Sequence, residues 1–139
     1  MSQYVTFVLN DALYGIEVNK VQEVLKGVPT TNVPMSPEEI TGLVNLRGQV
    51  VTLVDLRKQL NLPSRAEGEE AMMVVVEADG EMISLLVDKI GDVREVKEAD
   101  FENPPDTLPV EMRELILGAY KLQDNLLLAL DVEKAVAVG

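Results

Sequence analysis

Through most of the chain, apolar and polar residues alternate in short runs, the period of half-buried β-strands. In the first part such runs fall at residues 4–9, 13–18, 28–33, 43–46 and 49–54. Asp11, Gly48 and Gly80 stand between successive runs and mark tight hairpin turns. Helix signals are fewer and shorter. Asn19 with Gln22 has the spacing of a capping box, as does Ser36-Pro37-Glu38-Glu39, with proline at the first helical position. Asp55 and Asp131 end strands and are placed to cap short turns over 56–60 and 132–138. None of these segments has the length of the helices that flank a parallel α/β sheet.

The pattern repeats. Residues 5–24 lie over 74–93 without a gap at an offset of 69, and residues 42–60 lie over 118–136 at an offset of 76. The second match superposes Gly42 on Gly118, Leu46 on Leu122, Asp55 on Asp131 and Lys58 on Lys134. Two matches in the same order indicate that a whole unit is duplicated. The change of offset is a seven-residue insertion in the second copy, and it falls where 101–110 carries Pro104, Pro105 and Pro109, a segment expected to be an exposed loop. The halves, 1–66 and 67–139, meet near the polar stretch 63–70. About five strands per half are too few for an open sandwich and enough for a small closed barrel. The expected fold is therefore all-β: one domain of two tandem five-stranded barrels with a few short helices, exchange of strands between the halves being left open.

Composition narrows the function. An apolar fraction of 47% suffices for a core, while the longest purely apolar runs, 71–76 and 126–130, fall far short of the roughly 20 residues of a membrane helix. With no secretory signal, the expected location is the cytoplasm. The chain has no histidine and no cysteine, which removes Ser-His and Cys-His nucleophiles and the nitrogen and sulfur ligands of zinc, copper and haem. A net charge of −12 repels nucleic acid and anionic lipid heads. Gly15, Gly42 and Gly48 are isolated and form no phosphate cradle. The acidic pairs Glu38-Glu39 and Glu69-Glu70 lie in polar turns that imply no pKa-shifting pocket, and 88–100 puts valine and lysine where a calcium loop needs oxygen ligands. Met72, Met73 and Met82 read as core filling, leaving Met35 and Met112 as candidate contacts. Neither catalysis nor a cofactor nor a metal is indicated.

One series of short motifs remains, in fixed order: Tyr14-Gly15-Ile16, Lys20-Val21-Gln22-Glu23-Val24, Gly42-Leu43-Val44-Asn45-Leu46-Arg47-Gly48, Val54-Asp55-Leu56-Arg57 and Leu86-Val87-Asp88-Lys89. Together they resemble the CheW family, the coupling proteins of bacterial chemotaxis, over nearly the full chain. The resemblance implies two five-stranded barrels, each round its own core. It also implies a non-enzymatic adaptor that links the cytoplasmic tips of chemoreceptors to the regulatory domain of the histidine kinase CheA, and that is a monomer in isolation. Carried over position by position, the receptor-facing residues are Val21, Gly42, Arg47 and Val93. For the valines the competing reading is core burial, and for Gly42 it is a tight backbone position. Glu23 and Arg47 carry opposite charges in two of these motifs, and the resemblance implies that they meet as a salt bridge beside the receptor surface. A secondary kinase contact maps to Thr107 and Leu108, where the sequence lacks the aromatic residue expected there.

Two other readings stay open. The chain could be a CheW-like domain of a larger chemotaxis protein, such as the kinase or a receiver-linked coupling protein; a start at Met1 and an end just past the last short helix favour a free-standing adaptor. A carboxylate-dependent hydrolase on a barrel scaffold would instead show a metal dependence or a pH-rate profile.

Overall fold

A computed structural model describes residues 2–29, 39–66, 69–123 and 125–137, and the Ser36–Glu39 capping pattern falls largely outside them. The order of elements is β1 (Ser2–Leu9), β2 (Ala12–Glu17), β3 (Val21–Pro29), β4 (Thr41–Leu46), β5 (Gln49–Asp55), α1 (Leu56–Gln59), β6 (Glu70–Ala78), β7 (Glu81–Val87), β8 (Lys89–Val96), β9 (Phe101–Glu102), α2 (Val110–Arg113), β10 (Ile116–Lys121), β11 (Leu126–Leu130) and α3 (Val132–Val136). Two-residue turns join β1–β2, β4–β5 and β6–β7. Asn10, Asp11, Arg47, Gly48, Asp79 and Gly80 all have positive φ, as the type I′ hairpin requires, and Asn, Asp and Gly tolerate this best. Asp55 and Asp131 cap α1 and α3, accepting from the Arg57 and Lys134 amides at 3.1 and 3.2 Å.

The strands form two sheets, ordered β8-β1-β2-β11-β10-β9 and β3-β6-β7-β5-β4. The duplication is visible in this order: β1-β2 and β6-β7 are equivalent hairpins, each flanked by an antiparallel strand on one side and a parallel one on the other. The sheets do not divide at residues 63–70, however. Each takes its hairpin from one half and its remaining strands from the other, so β3, β4 and β5 complete the β6-β7 hairpin, and β8, β10 and β11 complete the β1-β2 hairpin. The exchange is reciprocal, as the pseudo-symmetry of two repeated units demands.

Burial explains the purely apolar runs 71–76 and 126–130, in strands that pack on both faces. Along β6, Met72, Val74, Val76 and Ala78 pack into a core shared by both sheets, whereas Ala71 and Met73 point the other way into a small cluster with Leu53 and Leu86. β11 divides likewise, Leu128 and Leu130 going to the shared core, Leu127 and Ala129 to a cluster with Tyr4, Val96 and Tyr120. The shared core also holds Phe7, Tyr14, Leu56 and Leu85. Each fully buried side chain of this kind contributes about 1.5–3 kcal/mol, against about 0–1 kcal/mol for an exposed ion pair such as Lys20–Glu133. Apolar packing, not surface charge, joins the sheets.

Two local expectations are corrected. Asn19 caps no helix: 18–20 make a single 3-10 turn without a side-chain cap bond, and β3 starts at Val21 rather than at 28. The β-branched residues Val21 and Val24 find ladder partners in Val76 and Val74, which outweighs a cap signal with no helical apolar stripe behind it. The insertion is also not all loop. Its β9 lies on the outer edge of β10, with the Phe101 ring edge-on to Tyr120 at 5.0 Å. A methyl group at Gly118 would overlap both that ring and the Glu102 carbonyl oxygen. Gly118→Ala is therefore expected to displace β9 and lower stability by about 1–3 kcal/mol. Thermal unfolding measures this, and an unchanged melting temperature would show that β9 is not packed as described.

Candidate functional site

Four of the five receptor-facing positions come from the five-stranded sheet, on its two outermost strands. Val21 and Glu23 lie on β3, Gly42 on β4, and Arg47 in the turn that follows β4. The turn is held by Asn45, whose Oδ1 accepts from the Gly48 amide at 2.9 Å, and this places the Arg47 guanidinium. Arg47 Nη1 donates to Glu23 Oε2 at 2.9 Å, and Nη2 donates to Glu23 Oε1, a two-pronged pair. Strands four positions apart in the sheet order are thus joined by one salt bridge: the sheet curls enough to bring its two outer edges within side-chain reach of each other. The two hydrogen bonds hold the Glu23 carboxyl below its usual range and push the Arg47 guanidinium up, so both are charged at any physiological pH. The pair is at the surface, and most of the Arg47 side chain stays open to solvent.

Val21 is half-buried and packs its side chain against the shared core. Val93 is different. It lies on β8, opposite Val5, yet is 55% exposed, so core burial does not account for it. β8 is the outer strand of the six-stranded sheet and packs against β3, which brings Val93's strand beside that of Val21 and Glu23. Gly42 pairs with Leu53 inside the β4-β5 ladder and is half-buried. Leu43 and Val50, 60% and 64% exposed, stand on the outward face of the same hairpin; read only as alternating strand residues, they gave no sign of such exposure.

Thr107 and Leu108 are set apart, before α2. Thr107 is exposed, while Leu108 is half-buried against the shared core, with its amide donating to the Pro105 carbonyl oxygen. The exposed aromatic residue of this segment is Phe101 on β9 rather than a residue at 107. Met112 is buried, where the Tyr14 hydroxyl donates to its sulfur, so it fills the core instead of offering a contact; Met35 lies outside the described residues.

A second charged cluster, unforeseen as a unit, lies where the chain crosses from β7 to β8. Asp88 accepts from Arg57 Nε and Nη2 at 2.8 and 2.6 Å, from Arg65 Nε at 3.0 Å and from the Asn10 amide at 2.9 Å. Arg65 also reaches Asp55 at 3.3 Å, and Arg57 donates to the Pro63 carbonyl oxygen at 2.8 Å. The cluster ties the 63–65 segment, the end of β5 and the β1-β2 turn to the crossover. Burial opposes ionisation of Asp88, but its hydrogen bonds and the two guanidiniums outweigh it and hold the carboxyl below its usual range. Among the described residues, no group of three or more acidic side chains is arranged to hold a metal ion, and no helix is long and apolar enough to cross a membrane.

The sequence model of the CheW-like domain matches residues 3–138. The chain belongs to the CheW-like domain family. Among CheW-like relatives, the chemotaxis protein CheW of Bacillus subtilis is 31% identical over 127 residues, 91% of this chain and 81% of its own length. The chemotaxis protein CheW of Helicobacter pylori is 28% identical over 132 residues, 95% of this chain and 79% of its own length. The crystal structure of the scaffolding protein TtCheW from Thermoanaerobacter tengcongensis matches with a TM-score of 0.81 at 29% identity, over 99% of this chain and 94% of that one. The mainly β fold of two sheets and the assignment to non-enzymatic scaffolds of chemotaxis follow from this membership.

Proposed function

We propose that this protein couples chemoreceptors to the histidine kinase CheA, with the receptor tip on the surface formed by Val21, Glu23, Gly42, Arg47 and Val93, and the CheA regulatory domain elsewhere, Thr107 and Leu108 lying beside that second contact. The observation that carries the reading is the Glu23–Arg47 pair: a two-pronged, exposed ion pair on the curled edge of one sheet, next to an exposed valine on the neighbouring edge of the other. An arginine held flat by a carboxylate keeps its remaining donors in one orientation, which suits recognition of a partner more than stability. The adaptor acts in the cytoplasm as a monomer and joins membrane-bound receptor arrays only through its partners.

The expected interfaces are modest, near the low end of about 1,200–2,000 Å². Calorimetric titration against a soluble receptor-tip fragment and, separately, against the CheA regulatory domain tests the reading. Binding to both is expected, with Val93→Asp abolishing only the first. Equal loss of both partners in that variant, or binding to neither by the unaltered protein, contradicts it.

A further inference from the structure

Two of the strands that carry the proposed receptor surface, β3 and β8, contain a β-bulge at equivalent points of the two repeats. In β3 the register against β6 shifts between Val21 and Glu23, leaving Gln22 as the extra residue. In β8 the register against β1 shifts where Gly91 and Asp92 lie opposite Thr6 alone. At the offset of 69, Gln22 lies over Gly91, so the duplication has kept the irregularity in both copies. A bulge twists its strand and re-aims the side chains beside it. Here those neighbours are Val21 and Glu23 on one strand and Val93 on the other.

The two bulges are fixed differently. In β3, Glu23 is held from outside by Arg47. In β8 the fixing comes from within. Thr6 is 2% exposed, and its hydroxyl donates to the Asp92 carbonyl oxygen at 2.6 Å, across the point where the bulge shifts the ladder. A Cβ at residue 91 would stand 2.7 Å from the Thr6 hydroxyl oxygen, so the hydroxyl reaches that carbonyl only past a glycine. The residue of β6 equivalent to Thr6 is Val75, fully buried and without a hydroxyl. The internal latch therefore exists in one sheet only, the six-stranded one, while the Arg47–Glu23 clamp belongs to the other.

From this geometry we infer that Thr6 and Gly91 are positioning residues for Val93: the hydroxyl latch across the bulge sets the direction in which β8 presents that side chain to the receptor. The inference rests on the receptor reading above, and its test separates the two. Thr6→Val keeps the shape and loses the donor; Thr6→Ser keeps the donor; Gly91→Ala crowds the latch. In the free protein, Thr6→Val and Gly91→Ala should shift the backbone resonances of residues 91–94 and speed their amide exchange, with Thr6→Ser close to the unaltered protein. Receptor-tip affinity should fall roughly five- to tenfold in Thr6→Val, the share of one orienting hydrogen bond, and recover in Thr6→Ser. In a Val93→Ala background Thr6→Val should cost nothing further. Unchanged resonances at 91–94 in Thr6→Val overturn the latch, whatever the protein binds. Shifted resonances with unchanged receptor affinity overturn its positioning role, and loss of binding by the unaltered protein overturns the receptor reading while the resonance measurement still decides the latch.

Discussion

Replacing Asp88 with asparagine is expected to lower stability by about 2–4 kcal/mol at neutral pH, among the largest effects of any single conservative change in this protein. The exchange preserves size but removes the charge that two guanidiniums share. Arg65, whose side chain is only 6% exposed, would keep Asp55 as its one carboxylate partner besides the Leu86 carbonyl oxygen at 3.4 Å, and removing half the compensating charge from a buried cation is more costly than losing a surface pair. The sign of the pH dependence follows from the same contacts. The Asp88 carboxyl is held below its usual value in the folded protein, so its contribution is fully present above about pH 4, where the unfolded chain is also ionised, and is lost as pH falls through the folded-state value. Unaltered protein and Asp88→Asn should thus converge in stability on acidification. Urea unfolding of both from pH 7 down to about pH 2.5 reads this directly. Equal stability at pH 7, or a gap that widens in acid, would refute the account of the cluster.

The second large effect falls on binding and spares the fold. Arg47→Ala and Glu23→Ala should each weaken receptor-tip binding by tenfold or more, the scale of an orienting arginine at an interface, with the melting temperature barely moved, because the pair is exposed and screened. Arg47→Lys should rescue little, since an ammonium cannot make the two-pronged contact. The exchanged double variant, Glu23→Arg with Arg47→Glu, restores the pair but reverses which strand presents the free donors, and should recover only part of the affinity. A double-mutant cycle separates this from two unconnected surface charges. If the losses multiply to within about a factor of two, the charges act independently and the pair has no orienting role.

Much of this was legible in the sequence, and what was not has a physical reason. The hairpin turns were readable because positive φ restricts the residue types that occupy them, and the repeat because alternation was conserved at fixed offsets. The exchange of strands could not be read the same way. β1 and β6 are repeat equivalents, so β3 would satisfy its apolar pattern against either, and nothing local distinguishes them. The Glu23–Arg47 pair is implied by the family resemblance, through two motifs that carry opposite charges; the structure adds its two-pronged geometry and the curling of the sheet that permits it. The Asp88 cluster was missed because Arg65 lies in a polar stretch that reads as a linker, although Arg57 and Asp88 each stood in a motif already singled out. Val93 stands beside a bulge, and a bulge is a property of two paired strands that neither strand's sequence discloses alone.

As a coupling protein, one molecule should hold a receptor tip and the kinase at the same time. Sedimentation velocity of the protein mixed with a receptor-tip fragment and the CheA regulatory domain measures this most directly. A three-component species is predicted, lost in Arg47→Ala to a two-component species that retains the kinase domain. Two binary complexes that exclude each other at every ratio would contradict it.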